Sequence, residues 1–328
     1  MPRGQWKQAR RLAACVFALL LAPGALAAEV AVLLSQAAEP YASFYNALVA
    51  NLPPQSGVLL NRVGDGSAPL NGEELSRASL IVTVGVAATE TALRANGRAI
   101  LAVLVPRDDL ETFRARYPKA RLGGIFLDPP PERQLQLLQL ALPHARTVGV
   151  LVGPDSARST SLLEQAAASA GLGLRIERIA RPDEVVPGLE RLLADADVLL
   201  AVPDNLVFNR NTALSILLTS YRLGRPVLAF SKAYVTAGAL VATYSTPEGL
   251  GRQVAEWLTR PGMDLTNPSG LVPARYFSVA VNSQVARTLA PEIPNEAQLA
   301  RALGSAGFGA GGSPNPMPPD PRGEGARR

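Results

Sequence analysis

Polar side chains that could bind a small molecule follow the strand expected at Val198–Val202. Asp204 and Asn205 place a carboxylate beside an amide at the end of this strand. Such a pair can grip an ammonium or a hydroxyl group, because a carboxylate accepts hydrogen bonds while an amide both donates and accepts them. Tyr244 follows a later strand, and we expect its ring to cover an apolar or aromatic part of the same ligand.

Other predicted strands also end in small or polar residues. Parallel sheets bind ligands outside the carboxyl ends of their strands, where helix N-termini present N–H groups. The turn Gly85-Val86-Ala87 opens a helix in this way, so its N–H groups are expected to hold a carboxylate. The predicted ligand-binding residues are Ser35, Gln36, Gly85, Val86, Ala87, Ser156, Asp204, Asn205, Ser231 and Tyr244. The polar members have an equal alternative, because Ser, Asp and Asn also cap helices and shape turns.

Residues for catalysis, metal binding or cofactor binding are not found in recognisable patterns. The single histidine, His144, lies in a loop before a strand and is expected to be structural. No G-x-S-x-G turn occurs, and the turn after Leu80–Val84 carries only Gly85 of a dinucleotide fingerprint. The sequence therefore predicts a protein that is not an enzyme, with no metal and no cofactor.

The N-terminus is typical of a secretory signal. Basic residues precede an apolar run, Leu12–Ala22, which is followed by small residues around Ala27. The run is too short for a permanent membrane anchor, and Cys15 stands near its start rather than its end, which disfavours a lipoprotein signal. We expect residues 1–27 to be a cleaved signal peptide and the product to be periplasmic.

The basic character of the chain belongs largely to this signal. The full chain carries 32 Lys and Arg against 27 Asp and Glu, a net charge of +5. Residues 1–27 hold four of the basic residues and none of the acidic ones, so the remainder is nearly neutral. Because no block of Lys and Arg occurs there, no nucleic-acid partner is expected. Loss of Cys15 also leaves no thiol for disulfides or thiolate chemistry.

The elements that must position these residues alternate between strands and helices, which is typical of α/β proteins with parallel sheets. We predict strands at Val30–Leu34, Val58–Arg62, Leu80–Val84, Ile100–Val105, Gly124–Leu127, Thr147–Val152, Leu174–Ile179, Val198–Val202, Pro226–Phe230, Ala239–Ala242 and Tyr276–Asn282. We predict helices at Tyr41–Asn51, Val86–Ala95, Glu132–Leu142, Ala157–Ala170, Asp183–Ala194, Thr212–Leu223, Thr246–Thr259 and Ser283–Ala290.

This pattern predicts two doubly wound, Rossmann-like lobes joined by a hinge. The proline run after Asp128 marks the first crossing. Residues 28–127 and 246–302 are assigned to lobe 1, and residues 128–245 to lobe 2. Residues 303–328 lack apolar periodicity and are expected to form a disordered tail rich in glycine and proline.

Several segments together resemble the substrate-binding proteins of ABC transporters. These are Ala196–Asn205, Arg225–Ser231, Gly238–Leu240 and Gly249–Gln253, with weaker matches at Leu80–Ala88 and Thr147–Thr160. The branch that contains tryptophan- and tyrosine-binding proteins is the most similar. The resemblance implies a type I periplasmic-binding fold, three crossings between lobes, and a ligand held at Gly85, Val86, Ala87, Ser156, Asp204, Asn205 and Ser231. The segment Gly123–Pro129 departs from the family pattern, so a polar contact with the ligand is expected to be missing there. The sequence therefore does not decide whether the ligand is an amino acid.

Two functions follow from these expectations. The first is capture of a small organic solute, amino-acid-like or more apolar, for an ABC importer whose permease lies in the inner membrane. The alternative is a sensor or adaptor of the same fold that signals to a membrane receptor or an outer-membrane uptake system. A Rossmann or hydrolase enzyme is disfavoured because its motifs are absent.

Overall fold

A computed structural model describes residues 28–65, 72–95, 99–268 and 270–305. The expected signal peptide and the tail beyond residue 305 lie outside the described residues. Each helix in the described part of the chain is too short or too polar to span a lipid bilayer.

Strands and helices alternate along the described chain. The strands are β1 (Ala28–Leu34), β2 (Val58–Gly64), β3 (Leu80–Val84), β4 (Ala99–Val105), β5 (Arg121–Phe126), β6 (Thr147–Val152), β7 (Gly173–Arg178), β8 (Val198–Leu200), β9 (Val227–Ala229), β10 (Val241–Tyr244), β11 (Leu271–Pro273) and β12 (Ser278–Val281). The helices are α1 (Tyr41–Asn51), α2 (Gly72–Arg77), α3 (Val86–Arg94), α4 (Arg107–Arg116), α5 (Pro131–Ala141), α6 (Thr160–Ser169), α7 (Val185–Ala194), α8 (Ala213–Arg222), α9 (Lys232–Ala237), α10 (Pro247–Leu258), α11 (Ser283–Leu289) and α12 (Glu296–Ser305). Short 3₁₀ helices cover Ser156–Ser159 and Pro182–Glu184.

The first lobe is built on a parallel sheet with strand order β11-β5-β4-β3-β1-β2. Strands β3 and β4 are buried along their whole length, as expected for apolar strands covered by helices on both faces. Helix α10 packs on α1 in the core that contains Phe44, Leu48 and Leu250. Gly251 permits this close approach, because a Cβ there would lie 2.6 Å from the carbonyl oxygen of Phe44.

The second lobe has the order β12-β10-β9-β8-β6-β7 and is parallel except for β12, which runs antiparallel to β10. Its core lies on the two faces of this sheet, with α5 and α6 on one side and α7 and α8 on the other. The predicted architecture of two α/β lobes is therefore confirmed.

Within the described residues, the chain passes between the lobes at 127–130, 245–246 and 274–277. The third passage is tied to α5 by Arg133, which is 2% exposed. Its guanidinium donates to the carbonyl oxygen of Ala274 (2.9 Å) and lies 4.6 Å from the centre of the Phe277 ring. Burial lowers the pKa of Arg133 to about 10. The buried guanidinium of Arg133 therefore links α5 to the third passage between the lobes.

After the third passage the chain stays with the second lobe, which differs from the predicted domain boundary. Residues 278–302 were assigned to lobe 1, but β12 pairs with β10 of the second sheet. Leu299 of α12 joins the same core as Leu135 and Leu138 of α5. The prediction was wrong because apolar periodicity identifies a buried strand and helix without identifying the sheet edge that receives them. Leu303, placed at the start of the tail, is also buried in this core.

Candidate functional site

A cavity of about 250 Å³ lies between the two lobes. The first lobe lines it with the ends of β4 and β5 and the first turns of α4. The second lobe lines it with the ends of β6 and β8, the 3₁₀ helix Ser156–Ser159 and the start of α5. The carboxyl ends of parallel strands thus face each other across the cavity, which is the usual position of ligands in such sheets. Ser156, Asp204 and Asn205 are the predicted site residues that line it.

Asp204 is 5% exposed, and its carboxylate is already occupied by donors of its own lobe. One oxygen accepts from the backbone N–H (2.9 Å) and the hydroxyl (2.8 Å) of Ser156. The other accepts from the backbone N–H groups of Leu206 (2.9 Å) and Val207 (3.1 Å). Gly153 is needed beside it, because a Cβ there would collide with this carboxylate. Asp204 therefore joins the ends of β6 and β8 into one rigid wall.

Asn205 is exposed at the rim and is held by Asp155. The Asp155 carboxylate accepts from both the backbone N–H and the side-chain amide of Asn205, each at 3.0 Å. Asp155 in turn lines the cavity. Asn205 therefore orients the carboxylate of Asp155, and its own amide is already engaged in this contact.

The carboxylates on the first-lobe side of the cavity accept fewer hydrogen bonds than Asp204 does. Asp108 and Asp109 lie in the first turn of α4, and burial raises the pKa of each. Asp128, after β5, accepts the backbone N–H of Arg107 (2.6 Å). The pKa of Asp128 is raised to about 6, mainly by burial and also by the negative charges of Asp108 and Asp109, while the hydrogen bond from Arg107 opposes this shift. This crossing was expected to lack a polar contact, yet it places Asp128 on the cavity wall.

Two hydrogen bonds cross the cleft beside these carboxylates. The Ser159 hydroxyl donates to Asp108 (2.9 Å), and the Arg158 guanidinium donates to the Thr112 hydroxyl (3.2 Å). Each joins α4 of the first lobe to the 3₁₀ helix of the second. These contacts exist only while the lobes are near each other, so they favour a closed arrangement.

Gln134 is the buried polar side chain in this cavity that lacks a partner. It follows the hinge residue Arg133 in α5, lines the cavity, and is 3% exposed. Its side-chain nitrogen is buried and finds no acceptor among the described residues. A buried donor without an acceptor is costly, so a group that satisfies it would be bound favourably.

The predicted residues at the ends of β1 and β3 do not line this cavity. Ser35 accepts the backbone N–H of Ala88 (3.0 Å) and so caps α3. Gly85 has φ +92° and packs closely, because a Cβ there would lie 2.6 Å from the Ser35 hydroxyl oxygen. Gln36, Val86 and Ala87 are exposed beside this turn. Ser35 therefore acts as a helix cap, and Gly85 permits the close approach of its turn to Ser35. Ligand binding by these residues stays a prediction.

Ser231 and Tyr244 also lie outside the cavity lining. Ser231 caps α9 by accepting from the backbone N–H of Tyr234 (3.4 Å). Tyr244 is half-buried opposite Ser278 in the β10–β12 pair, and burial raises its pKa. Ser231 is therefore a helix cap, and Tyr244 is a residue of the β10–β12 strand pair.

Residues that sequence reasoning missed are Asp108, Asp109, Asp128, Gln134 and Ser159. A signal for the aspartates was present, since Asp108 and Asp109 follow the buried strand β4 and Asp128 follows β5. Gln134 had no such signal, because its burial depends on the packing of α5 at the hinge. Across the part of the chain that the structure describes, no group of three His, Cys, Asp or Glu is placed to hold a metal ion.

Comparison with known proteins gives matches in structure alone. No protein-family model matches the chain, and no curated protein sequence matches it. The ligand-free, open structure of a substrate-binding protein with adhesive properties from Clostridium difficile is similar, with 19% identity, a TM-score of 0.62, and coverage of 81% of this chain and 96% of that one. A conserved domain protein from Vibrio cholerae shows 19% identity and a TM-score of 0.55 over 84% of this chain and 98% of that one. An ABC domain in complex with L-Trp from Streptococcus pneumoniae shows 14% identity and a TM-score of 0.52 over 81% and 96%. The chain has the type I periplasmic-binding-protein fold.

Proposed function

We propose that this chain is a solute-binding protein that captures a small organic molecule between its lobes. The observation that carries the proposal is the cavity of about 250 Å³ lined by strand ends of both lobes. Hydrogen bonds from Ser159 to Asp108 and from Arg158 to Thr112 join its walls. A cavity shared by both lobes allows a ligand to be enclosed by hinge closure, and contacts made only when the lobes approach stabilise the closed form.

No reaction is part of this proposal. The single histidine, His144, is exposed in the loop between α5 and β6. That loop precedes β6, whereas the cavity lies at the carboxyl ends of the strands. General acid–base catalysis requires a group within hydrogen-bond reach of the substrate, so His144 is badly placed for it.

The proposal extends to the chemical class of the solute and to the transporter that receives it. We infer delivery to the permease of an ABC importer in the inner membrane, after export to the periplasm by the signal expected at residues 1–27. An amino-acid-like or more apolar solute remains the candidate class, in keeping with the sequence resemblance to tryptophan- and tyrosine-binding proteins. Phe126 and Leu163 supply apolar lining next to the aspartates.

Native mass spectrometry of protein purified without denaturation tests the capture function. We expect a bound small molecule that is released on unfolding and that raises the melting temperature when it is added back. Protein that carries no small molecule, and that no member of a broad solute library stabilises, would contradict the proposal.

A further inference from the structure

Resting on the proposed function, we propose that the cleft selects solutes that carry a protonated amine together with a hydrogen-bond acceptor. Asp109 faces the amine, and Gln134 donates to the acceptor. Neither Asp109 nor Gln134 is among the ligand-binding residues predicted from the sequence.

The balance of charge along the cavity favours a cation. Among the described residues that line it, the ionisable side chains are five aspartates (Asp108, Asp109, Asp128, Asp155 and Asp204) and two arginines (Arg107 and Arg158). Four donors already stabilise Asp204. The remaining aspartates still outnumber the arginines, so an anionic solute would meet repulsion inside a partly dehydrated space.

Both arginines are engaged elsewhere. The Arg107 guanidinium donates to Glu111 (2.8 Å) and lies 5.6 Å from the centre of the Phe126 ring. Arg158 donates to Thr112 across the cleft. An incoming carboxylate would have to compete with these contacts, whereas an incoming ammonium would not.

Asp109 is the carboxylate best placed to receive the amine. It is half-buried, and no group among the described residues donates a hydrogen bond to it. Burial is the main cause that raises the pKa of Asp109. The negative charges of Asp155 across the cleft and of Asp108 beside it also raise this pKa. A bound ammonium would relieve this repulsion and supply the missing donor.

Gln134 is independent evidence that a polar ligand group enters the same cavity. Its buried side-chain nitrogen needs an acceptor, and none of the described residues provides one. A hydroxyl or carbonyl oxygen of the solute would meet this need. Asp109 and Gln134 come from different lobes, so one solute contacting both would bridge the cleft.

Isothermal titration with a matched ligand series tests the proposal. Tyramine carries an amine and a hydroxyl, L-tyrosine adds a carboxylate, hydroxyphenylpropionate has the carboxylate without the amine, and phenethylamine has the amine without the hydroxyl. We expect tyramine to bind, L-tyrosine to bind at least about fivefold more weakly, and hydroxyphenylpropionate not to bind.

Matched variants assign the two contacts. Asp109→Asn should weaken tyramine binding by about tenfold or more, because it removes a charge-assisted hydrogen bond. Asp195→Asn, on an exposed turn after α7, is the control and should change affinity less than about twofold. Gln134→Met should weaken tyramine by about fivefold and leave phenethylamine unchanged. Melting of each ligand-free variant checks that it folds.

The outcomes separate this inference from the proposed function. Failure of tyramine to bind, or stronger binding of hydroxyphenylpropionate, would overturn the amine proposal. If native mass spectrometry then recovers a neutral or anionic solute from the cleft, capture stands and only the ligand class is wrong. If no solute is recovered, both proposals fail.

Discussion

Asp204 and Asp109 lie on opposite walls of the cleft and differ in the hydrogen bonds that they accept. On the second lobe, Asp204 accepts four hydrogen bonds from its own lobe and is 5% exposed. On the first lobe, Asp109 receives none among the described residues, although burial raises its pKa. Both line the same cavity. One wall is therefore fixed by its carboxylate, while the other holds a carboxylate that a ligand can still use.

This contrast shows why residue type and strand-end position are insufficient to assign a ligand contact. Asp204-Asn205 has the residue types of a binding pair, yet its polar groups hold the loop and orient Asp155. Asp109 stands in the first turn of α4, where the helix dipole also favours a negative charge. The partners of each carboxylate, not its position, distinguish the two roles.

Replacing Asp204 should have the largest effect on the fold itself. Asp204→Ala leaves buried N–H groups of Ser156 and Val207 without an acceptor, so we expect a loss of about 3 kcal/mol in the free energy of unfolding. Urea denaturation measures this loss, with Asp155→Ala at the rim as the milder control. Unchanged stability combined with lost ligand binding would instead make Asp204 a direct ligand contact.

Asp128 should give a smaller, pH-dependent effect. Its pKa in the folded protein is about 6, above the value of about 3.9 in an unfolded chain. The folded state therefore binds more protons between these values, and the contribution of Asp128 to stability falls as pH rises through this window. Asp128→Asn keeps an acceptor for Arg107 but carries no charge.

We therefore expect Asp128→Asn to melt a few degrees higher than the wild type at about pH 7 and to lose this advantage towards about pH 4. Thermal melts across this range measure the difference. An advantage that grows as the pH falls would show that the native carboxylate is not destabilised by its surroundings.

Ser159 should affect closure more than folding. Ser159→Ala removes the hydrogen bond to Asp108 across the cleft, so we expect tyramine affinity to fall by about threefold to tenfold. The melting temperature of the ligand-free protein should hardly change. Ser169→Ala, exposed at the end of α6, is the control. Equal affinities for the two variants would argue against a closing role for Ser159.

Asn205 should show the smallest effect. Its side chain helps to orient Asp155, but its backbone N–H makes the same contact and survives replacement by alanine. We expect Asn205→Ala to change tyramine affinity by less than about threefold. Titration calorimetry distinguishes this from direct binding by the amide, for which the loss would exceed about tenfold.

Much of the fold follows from the sequence because apolar runs and helix periodicity are local. The helix Tyr41–Asn51 and the strands Leu80–Val84 and Thr147–Val152 have the bounds that their residues predict. The crossing after Asp128 was signalled by its prolines. The return of β12 to the second sheet was not, because pairing with β10 is a long-range choice that periodicity does not encode.

The candidate site was less accessible to sequence reasoning. Strand-end positions pointed to Ser156, Asp204 and Asn205, which do line the cavity. Whether they bind a ligand stays a prediction, and so does the role of the remaining predicted residues. The unpaired state of Asp109 and Gln134 depends on which groups the two lobes bring near them, and no local pattern reports it.

Hydrogen–deuterium exchange tests the central claim, that a solute is held between the lobes, most directly. The protein is compared with and without the solute that native mass spectrometry identifies. We predict slower exchange in peptides from both walls at once, covering 106–112 of the first lobe and 153–159 of the second. Protection confined to one lobe, or to the turn at Ser35 and Gly85, would contradict capture in this cleft.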